Sequence, residues 1–337
     1  MKIVFFETKD YERKFFEEQL REHELVFYTF PLNEETADYI KDADIVSVFV
    51  FSKVNAKVIS KMKNVKLIAT RSTGYDHIDL EFAKKANIKV CNVPTYGTES
   101  VAEHTFALIL TISRRIFESI ERTRKGNFEN SDLIGFNLEG KTLGIIGAGR
   151  IGRRVAEIAK AFKMRVIAYD IFKNEEEAKR IGFEYVDLDT LLRESDIITL
   201  HANLTKENYH MLNEEAFEKM KDGVIIINTA RGALIDTKAL IKYLKLGKVK
   251  ACALDVLEEE AAEKEEIRLL YENKLEKEQL AKLLANHILI EMEDEKKNVL
   301  ITPHNAFNSY ESLKEILETT VKNIKSFIAG NPINLVC

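Results

Sequence analysis

The chain has 337 residues with 50 basic and 55 acidic side chains, a formal charge of −5, and 45% hydrophobic content. This is the composition of a globular protein long enough for two domains. The slight acidity argues against a general nucleic-acid binder, which carries a basic face. No apolar run approaches the roughly 20 residues of a membrane span, and the apolar stretch after Met1 is too short for a signal peptide, so no membrane partner and a cytoplasmic location are expected. Cys91, Cys252 and Cys337 stand far apart. Neither a disulfide framework nor a metal site is expected from them.

In chain order, Lys2–Phe6, Asp44–Val50, Val65–Thr70 and Ile88–Cys91 read as short strands rich in β-branched and aromatic residues. Helical periodicity occupies Tyr11–Glu22 and Leu80–Ala86 between them. Thr98–Ile116 reads as one long apolar helix linking this series to a second. The second series holds strands at Leu143–Ile146, Val166–Tyr169, Ile197–Leu200, Val224–Asn228 and Ala251–Leu254, with helices at Ile151–Phe162 and Asp236–Leu246. Gly247 suits the C-cap of the last helix. Strand-helix alternation predicts parallel sheets built from βαβ units. Residues 258–297 are crowded with Glu and Lys. Ile267, Leu270, Leu280, Leu283 and Leu284 stand among them, and the pattern predicts an amphipathic, mostly helical insertion with a solvated face. The stretch Ser309–Ala329 reads as a helix that packs back on the first unit.

Five of the fourteen glycines fall between Gly140 and Gly152, so glycine is concentrated at one place. There, Gly147-Ala148-Gly149-Arg150-Ile151-Gly152 matches GxGxxG. Gly147 permits a tight turn, Gly149 lets backbone approach a pyrophosphate, and Gly152 allows close helix packing. Phosphates would then sit at a helix N-terminus, beside Arg150 and Ile151. A strand precedes the motif, a helix follows, and a second strand ends at Asp170, where a carboxylate can accept from ribose hydroxyls. Asp170 would repel a 2′-phosphate, and only Ile171, Phe172 and Lys173 follow it. The expected cofactor is therefore NAD. FAD motifs usually lie near the chain start.

Downstream, Arg231 follows a buried-looking strand in Thr229-Ala230-Arg231-Gly232, and a guanidinium suits capture of a carboxylate. His304 follows another strand in Thr302-Pro303-His304, where proline stiffens the backbone that aims the ring. Glu260 lies on the loop after Asp255 in an acidic run.

GxGxxG with its distal Asp, Thr-Ala-Arg-Gly, Leu254-Asp255-Val256 with Glu260, and Thr-Pro-His occur in an order that resembles the D-2-hydroxyacid dehydrogenases. Arg71-Ser72-Thr73-Gly74-Tyr75-Asp76-His77-Ile78-Asp79 and Val101-Ala102-Glu103-His104 resemble the same family, and the likeness spans nearly the whole chain. Pro94-Thr95-Tyr96, Ala261 after Glu260, and the long stretch before His304 resemble its D-lactate dehydrogenase branch. Phe51 stands where that branch often has tyrosine. His201-Ala202-Asn203 departs from the usual His-Val-Pro.

The resemblance implies an α/β protein with two doubly wound parallel-sheet domains. A flavodoxin-like substrate domain would span residues 1–99 and 306–337. A Rossmann-type NAD domain would span 100–305, with a helical insertion at about 261–297. It implies NADH reduction of a small 2-keto acid, pyruvate first among them, to the D-2-hydroxy acid. Arg231 would bind the substrate, His304 would donate the proton, and Glu260 would hydrogen-bond His304 and favour its charged form. Ala202, Asn203, Asn208, Thr229, Ala230 and Asp255 would contact the cofactor. Thr73, Gly74, Tyr96, Phe51 and Phe307 would contact the substrate. His104 reads as a packed or interface histidine, and the long linker helix as a homodimer contact. Two other readings stay open: a dehydrogenase of larger 2-hydroxy acids such as D-2-hydroxyisocaproate, and an NAD-sensing protein like the corepressors of the superfamily.

Overall fold

The computed structural model describes residues 1–259, 275–294 and 298–337. The chain divides into two compact units, Met1–Gly97 with Asn308–Cys337, and Thr98–Phe307. No helix among the described residues is long and apolar enough to cross a membrane.

Unit 1 is a five-stranded, all-parallel sheet. Its strands are β1 (Lys2–Phe5), β2 (Glu24–Phe27), β3 (Ile45–Val48), β4 (Leu67–Thr70) and β5 (Lys89–Cys91), in the order β2-β1-β3-β4-β5. β3 and β4 are buried along their whole length, the pattern of strands covered on both faces. The helices α1 (Asp10–Gln19), α2 (Ala56–Ser60) and α3 (Leu80–Lys85) connect them. The C-terminal helix of this unit, Tyr310–Ile328, buries Leu317, Val321 and Ile324 against Ile3, Phe5, Ile45 and Leu67. The last helix therefore does pack on the first sheet, as its apolar spacing predicted.

Unit 2 begins with two helices, α4 (Thr98–Arg114) and α5 (Ile116–Arg124), where the sequence suggested one. Arg115 breaks them with a left-handed φ of 50°. Its seven-stranded parallel sheet comprises β6 (Thr142–Ile146), β7 (Arg165–Tyr169), β8 (Glu184–Tyr185), β9 (Ile197–Leu200), β10 (Val224–Asn228), β11 (Val249–Leu254) and β12 (Val299–Ile301). Their order is β12-β11-β10-β9-β6-β7-β8. The strand sequence reverses between β6 and β9, and doubly wound sheets bind ligands at such a reversal, beyond the carboxyl ends of the strands.

The connecting helices are α6 (Arg150–Ala161), α7 (Glu175–Ile181), α8 (Leu188–Glu194), α9 (Glu214–Lys219) and α10 (Thr237–Lys245). Asn174, Asp187, Asn213 and Asp236 cap the N-termini of α7 to α10 with side-chain oxygens. This satisfies donors that a helix start leaves open. α6 differs: its N-cap is Gly149, which has no side chain to offer. The charged insertion contributes α11 (Lys277–Asp294), which packs Ala285, Leu289 and Met292 into the unit 2 core, buries Leu283 and exposes Leu284. Ile267 and Leu270 lie outside the described residues. The C-terminal helix of unit 1, Tyr310–Ile328, is α12.

Candidate active site

In unit 2, the glycine motif occupies the β6–α6 turn. Gly147 has φ 94°, and a Cβ there would meet the Ala202 backbone nitrogen at 2.5 Å. Only glycine lets the loop after β6 lie against the loop after β9. A Cβ on Gly152 would strike the Gly147 carbonyl oxygen at 2.1 Å, so the third glycine seats α6 against the turn. A Cβ on Gly149 would meet nothing within 4 Å. The space above it is open, and the first N–H groups of α6 face it without a capping side chain. Arg150 and Ile151 open that first turn. The site fits a dinucleotide pyrophosphate.

Asp170 lies just past β7. Its carboxylate accepts from the N–H of Ala148 at 2.7 Å and of Phe172 at 2.8 Å. It braces the glycine turn and remains part-exposed, with acceptor capacity left for a ribose hydroxyl. After β9, the Asn208 side chain staples its own loop. Its amide donates to the Asn203 carbonyl at 2.7 Å, and its oxygen accepts from the Thr205 N–H at 2.7 Å. His201 bonds Thr199 at 2.9 Å through Nε2, and burial pushes its pKa down to about 3. The ring stays neutral in neutral water, able to donate through one nitrogen and accept through the other.

Arg231, Asp255 and His304 hang from the carboxyl ends of three neighbouring strands, β10, β11 and β12. Asn228, 1% exposed, ends β10 and shapes the arginine loop, accepting from the Ala230 N–H and donating to the Arg231 carbonyl. Thr229 bonds Thr105 at 3.2 Å. Gly232 must be glycine, because a Cβ would meet the Leu257 carbonyl carbon at 2.1 Å. The arginine loop thus lies directly on the segment that runs toward Glu260. Glu260 itself falls outside the described residues.

Asp255 organises the histidine loop. Its backbone N–H donates to the Asn228 carbonyl, and its carbonyl accepts from the His304 N–H at 2.9 Å. Its carboxylate accepts from Thr302 Oγ1 and from the N–H groups of Asn305 and Ala306. Burial alone would raise the pKa of this carboxyl. Hydrogen bonds from His104, Thr302, Asn305 and Ala306 outweigh that and hold it below the usual carboxylate range. His304 sits at φ 53°, and its ring stands edge-on to Phe307 with centroids 6.2 Å apart.

In unit 1, the loop after β4 carries Thr73 and Gly74. Asn92 donates to the Thr73 carbonyl at 2.8 Å, Asn323 of α12 donates to the Asn92 carbonyl at 2.8 Å, and Ser72 donates to the Gly74 carbonyl at 2.6 Å. The loop's carbonyls are taken, while its Thr73 and Gly74 N–H groups make no hydrogen bond among the described residues. Such a pair suits an anionic oxygen. Tyr96 is half-buried, and its carbonyl accepts from Ser312 at 2.7 Å. Phe51 is half-buried on the loop after β3.

Residues 106–306 match the family model described as the D-isomer specific 2-hydroxyacid dehydrogenase NAD binding domain. The chain belongs to the D-2-hydroxyacid dehydrogenases. Among its relatives is the D-lactate dehydrogenase of Escherichia coli, 41% identical over 339 residues that cover 98% of either chain. The aromatic 2-oxoacid reductase of Clostridium sporogenes is 41% identical over 294 residues, 86% of this chain and 85% of that one. The crystal structure of Aquifex aeolicus D-lactate dehydrogenase, complexed with NAD and lactic acid, shares 42% identity with a TM-score of 0.90. It covers 99% of this chain and 98% of that one.

Two features of this dehydrogenase lay beyond the sequence reading. His104 was expected to be packed or at an interface. It is packed, and its Nε2 lies 3.3 Å from Thr302 Oγ1 and 3.5 Å from Asp255 Oδ1, within the network that holds the histidine loop. Glu258, 4% exposed, was part of the acidic run. It pairs with His210 at 2.8 Å and accepts from Thr237 at 2.8 Å, tying the segment after β11 to α10. A signal was available for Glu258, because it stands only three residues past the Asp255 motif.

Proposed function

We propose that this dehydrogenase reduces pyruvate to D-lactate with NADH. The supporting observation is its 42% identity, along nearly its whole length, to a D-lactate dehydrogenase whose structure holds NAD and lactic acid. Bound NADH supplies a hydride to the carbonyl carbon of the keto acid. The N–H groups of Thr73 and Gly74 hold the substrate carboxylate. Arg231 binds the carboxylate and the carbonyl oxygen and stabilises the charge that grows there. His304 gives its proton to the developing alkoxide, with Glu260 as its partner in this reading. Phe51, Tyr96 and Phe307 line the substrate's methyl side with aromatic surface. Asp170 takes the adenosine ribose hydroxyls and disfavours a 2′-phosphate, while Ala202, Asn203, Thr229, Ala230 and Asp255 position the nicotinamide half. The substrate domain of this reading, residues 1–99 and 306–337, corresponds to unit 1, which runs Met1–Gly97 with Asn308–Cys337. The reaction runs in the cytoplasm, in a homodimer.

A larger 2-keto acid is the second reading. It is favoured by the 41% identity to a reductase of aromatic 2-oxoacids and by the phenyl ring at Phe51. Steady-state kinetics across 2-keto acids with NADH and NADPH separates these readings. Pyruvate should give the highest kcat/KM with NADH, and the product should be the D isomer. Preference for an aromatic or branched keto acid would overturn the pyruvate assignment. Tight NADH binding without turnover on any keto acid would favour a sensor.

A further inference from the structure

The sheet of unit 1 has its own reversal of strand order. β1 sits between β2 and β3, so the chain winds one way from β1 to β2 and the other way from β1 to β3. A doubly wound sheet receives ligands beyond the carboxyl ends of the strands at this place. Two segments leave the sheet there, Phe6–Thr8 after β1 and Phe49–Ser52 after β3. The second carries Phe51.

Glu7 joins the two. Its Oε1 accepts from the Phe51 N–H at 2.9 Å. Its Oε2 accepts from the Phe49 N–H at 3.0 Å, the Ser52 N–H at 3.1 Å and the Ser52 hydroxyl at 2.5 Å. One carboxylate thus satisfies three backbone donors of a loop that has no helix or strand bonds of its own. Hydrogen bonds to a charged acceptor are the strong kind.

Glu7 is itself held from several sides. Its backbone has a left-handed φ of 54°, a conformation that persists in a non-glycine residue only where the surroundings impose it. Its N–H donates to the Phe30 carbonyl at 3.1 Å. Its carbonyl accepts at 3.0 Å from Arg71, a fully buried guanidinium that also donates to the Phe6 carbonyl at 2.7 Å and to Ser47 Oγ at 3.1 Å. Arg71 begins the segment that carries Thr73 and Gly74. One connected set of hydrogen bonds therefore links the ends of β1, β3 and β4.

We infer that Glu7 is a positioning residue for substrate recognition, fixing the Phe49–Ser52 loop so that the Phe51 ring is presented in one place. This rests on the reading of Phe51 as a substrate contact. Glu7 does not touch the reacting atoms. Its negative charge is compensated by four donors, so the carboxylate shapes the site without presenting a bare charge to an anionic substrate. A loop released from Glu7 would lose binding that is equal in ground and transition states, which raises KM and leaves kcat alone.

The test compares Glu7→Ala, Glu7→Gln, Ser52→Ala and Phe51→Ala with the native enzyme, measuring pyruvate KM and kcat, NADH Kd by fluorescence, and Tm. Glu7→Ala should raise KM by roughly ten- to hundredfold, as expected for a small misplacement of a binding group. Glu7→Gln should fall between Glu7→Ala and native, because one oxygen remains. Ser52→Ala should give the smallest rise, since it spares the three backbone bonds. For the Glu7 and Ser52 variants kcat and NADH Kd should stay within about twofold of native. If Phe51→Ala raises KM while Glu7→Ala and Glu7→Gln do not, the positioning role is overturned. Unchanged KM in Phe51→Ala and in both Glu7 variants overturns the assignment of Phe51 and the inference with it. Loss of kcat or NADH affinity in parallel with KM also overturns it, since it would mark a general structural role. Should Glu7→Ala fail to fold, Glu7→Gln and Ser52→Ala decide by the same criteria.

Discussion

His304 occupies a left-handed backbone position that costs a non-glycine residue on the order of 1–3 kcal/mol. The bond from its N–H to the Asp255 carbonyl, and those from Asn305 and Ala306 to the Asp255 carboxylate, offset that cost and fix where the ring stands. A His304→Asn variant keeps those backbone bonds and loses the proton donor. Its kcat should fall by about 10²–10⁴-fold, the usual contribution of a general acid, while NADH titration by fluorescence gives a native Kd. Undiminished turnover would remove His304 from the mechanism. Asp255 predicts a different signature. Its pKa is lower folded than unfolded, so its ionised form stabilises the fold above the ordinary carboxylate value of about 3.9. That contribution is lost as pH falls through the depressed value. Asp255→Asn should lower Tm at neutral pH, and the difference from native should shrink as the solution is acidified below the usual carboxylate range. Thermal unfolding across acidic pH measures it. At this scale Gly147, Asp170, Arg231 and His304 are candidates that local spacing marks in the sequence. His104 and Glu7 could not. Their partners stand 198 positions away at Thr302 and 45 positions away at Ser52, and no spacing rule spans such distances.

Helix starts show how an element can be built for binding by leaving something out. α7 to α10 each begin on an Asn or Asp whose side chain fills the open donors, and α6 alone of these five begins on glycine. The difference is written in the sequence, and so is its meaning once a strand and a distal acid are seen around it. Gly232 is subtler. The sequence marks it only as the residue after Arg231, yet the structure shows the arginine loop in contact with the segment leading to Glu260 through its missing side chain. Gly232→Ala must push the two apart. It should cost about 1–3 kcal/mol, as overpacking does, and lower kcat/KM through the displaced Arg231. A drop in Tm without any change in kinetics would show that the two loops are independent. The linker helix was the element least well read. Its apolar pattern runs through Arg115 without interruption, but the backbone turns left-handed there, because Gly135 and Phe136 cross the end of α4 and the Phe136 N–H takes the Ser113 carbonyl.

For the whole molecule, that break relocates the case for a dimer. α4 was expected to present apolar surface beyond what its own unit could cover. Its Ala102, Phe106, Leu108 and Ile109 are instead buried in the core of its own unit, and the more exposed apolar side chains of this region lie on α5 and the segment after it. Ile116, Phe117 and Ile120 are 41, 43 and 46% exposed, and Phe128 and Ile134 are 80 and 81% exposed. A homodimer should bury some of these. Sedimentation equilibrium should give twice the chain mass for the native enzyme, and the double variant Phe117→Asp with Ile120→Asp should shift it toward the monomer with folded circular dichroism. A monomeric native enzyme would remove the homodimer from the proposal. The sequence by itself determined the alternation of strands and helices, the parallel sheets, the dinucleotide turn and the family, because periodicity and glycine spacing act over a few residues. Tertiary structure decided the strand order, the place where each sheet reverses, and the companions of the candidate catalytic residues. The part-buried Asp255–Thr302 pair, which His104 of α4 joins, and the Glu7 carboxylate network exist because parallel strands bring their carboxyl ends side by side. Burial then requires every polar group gathered there to find a partner, however remote it stands along the chain.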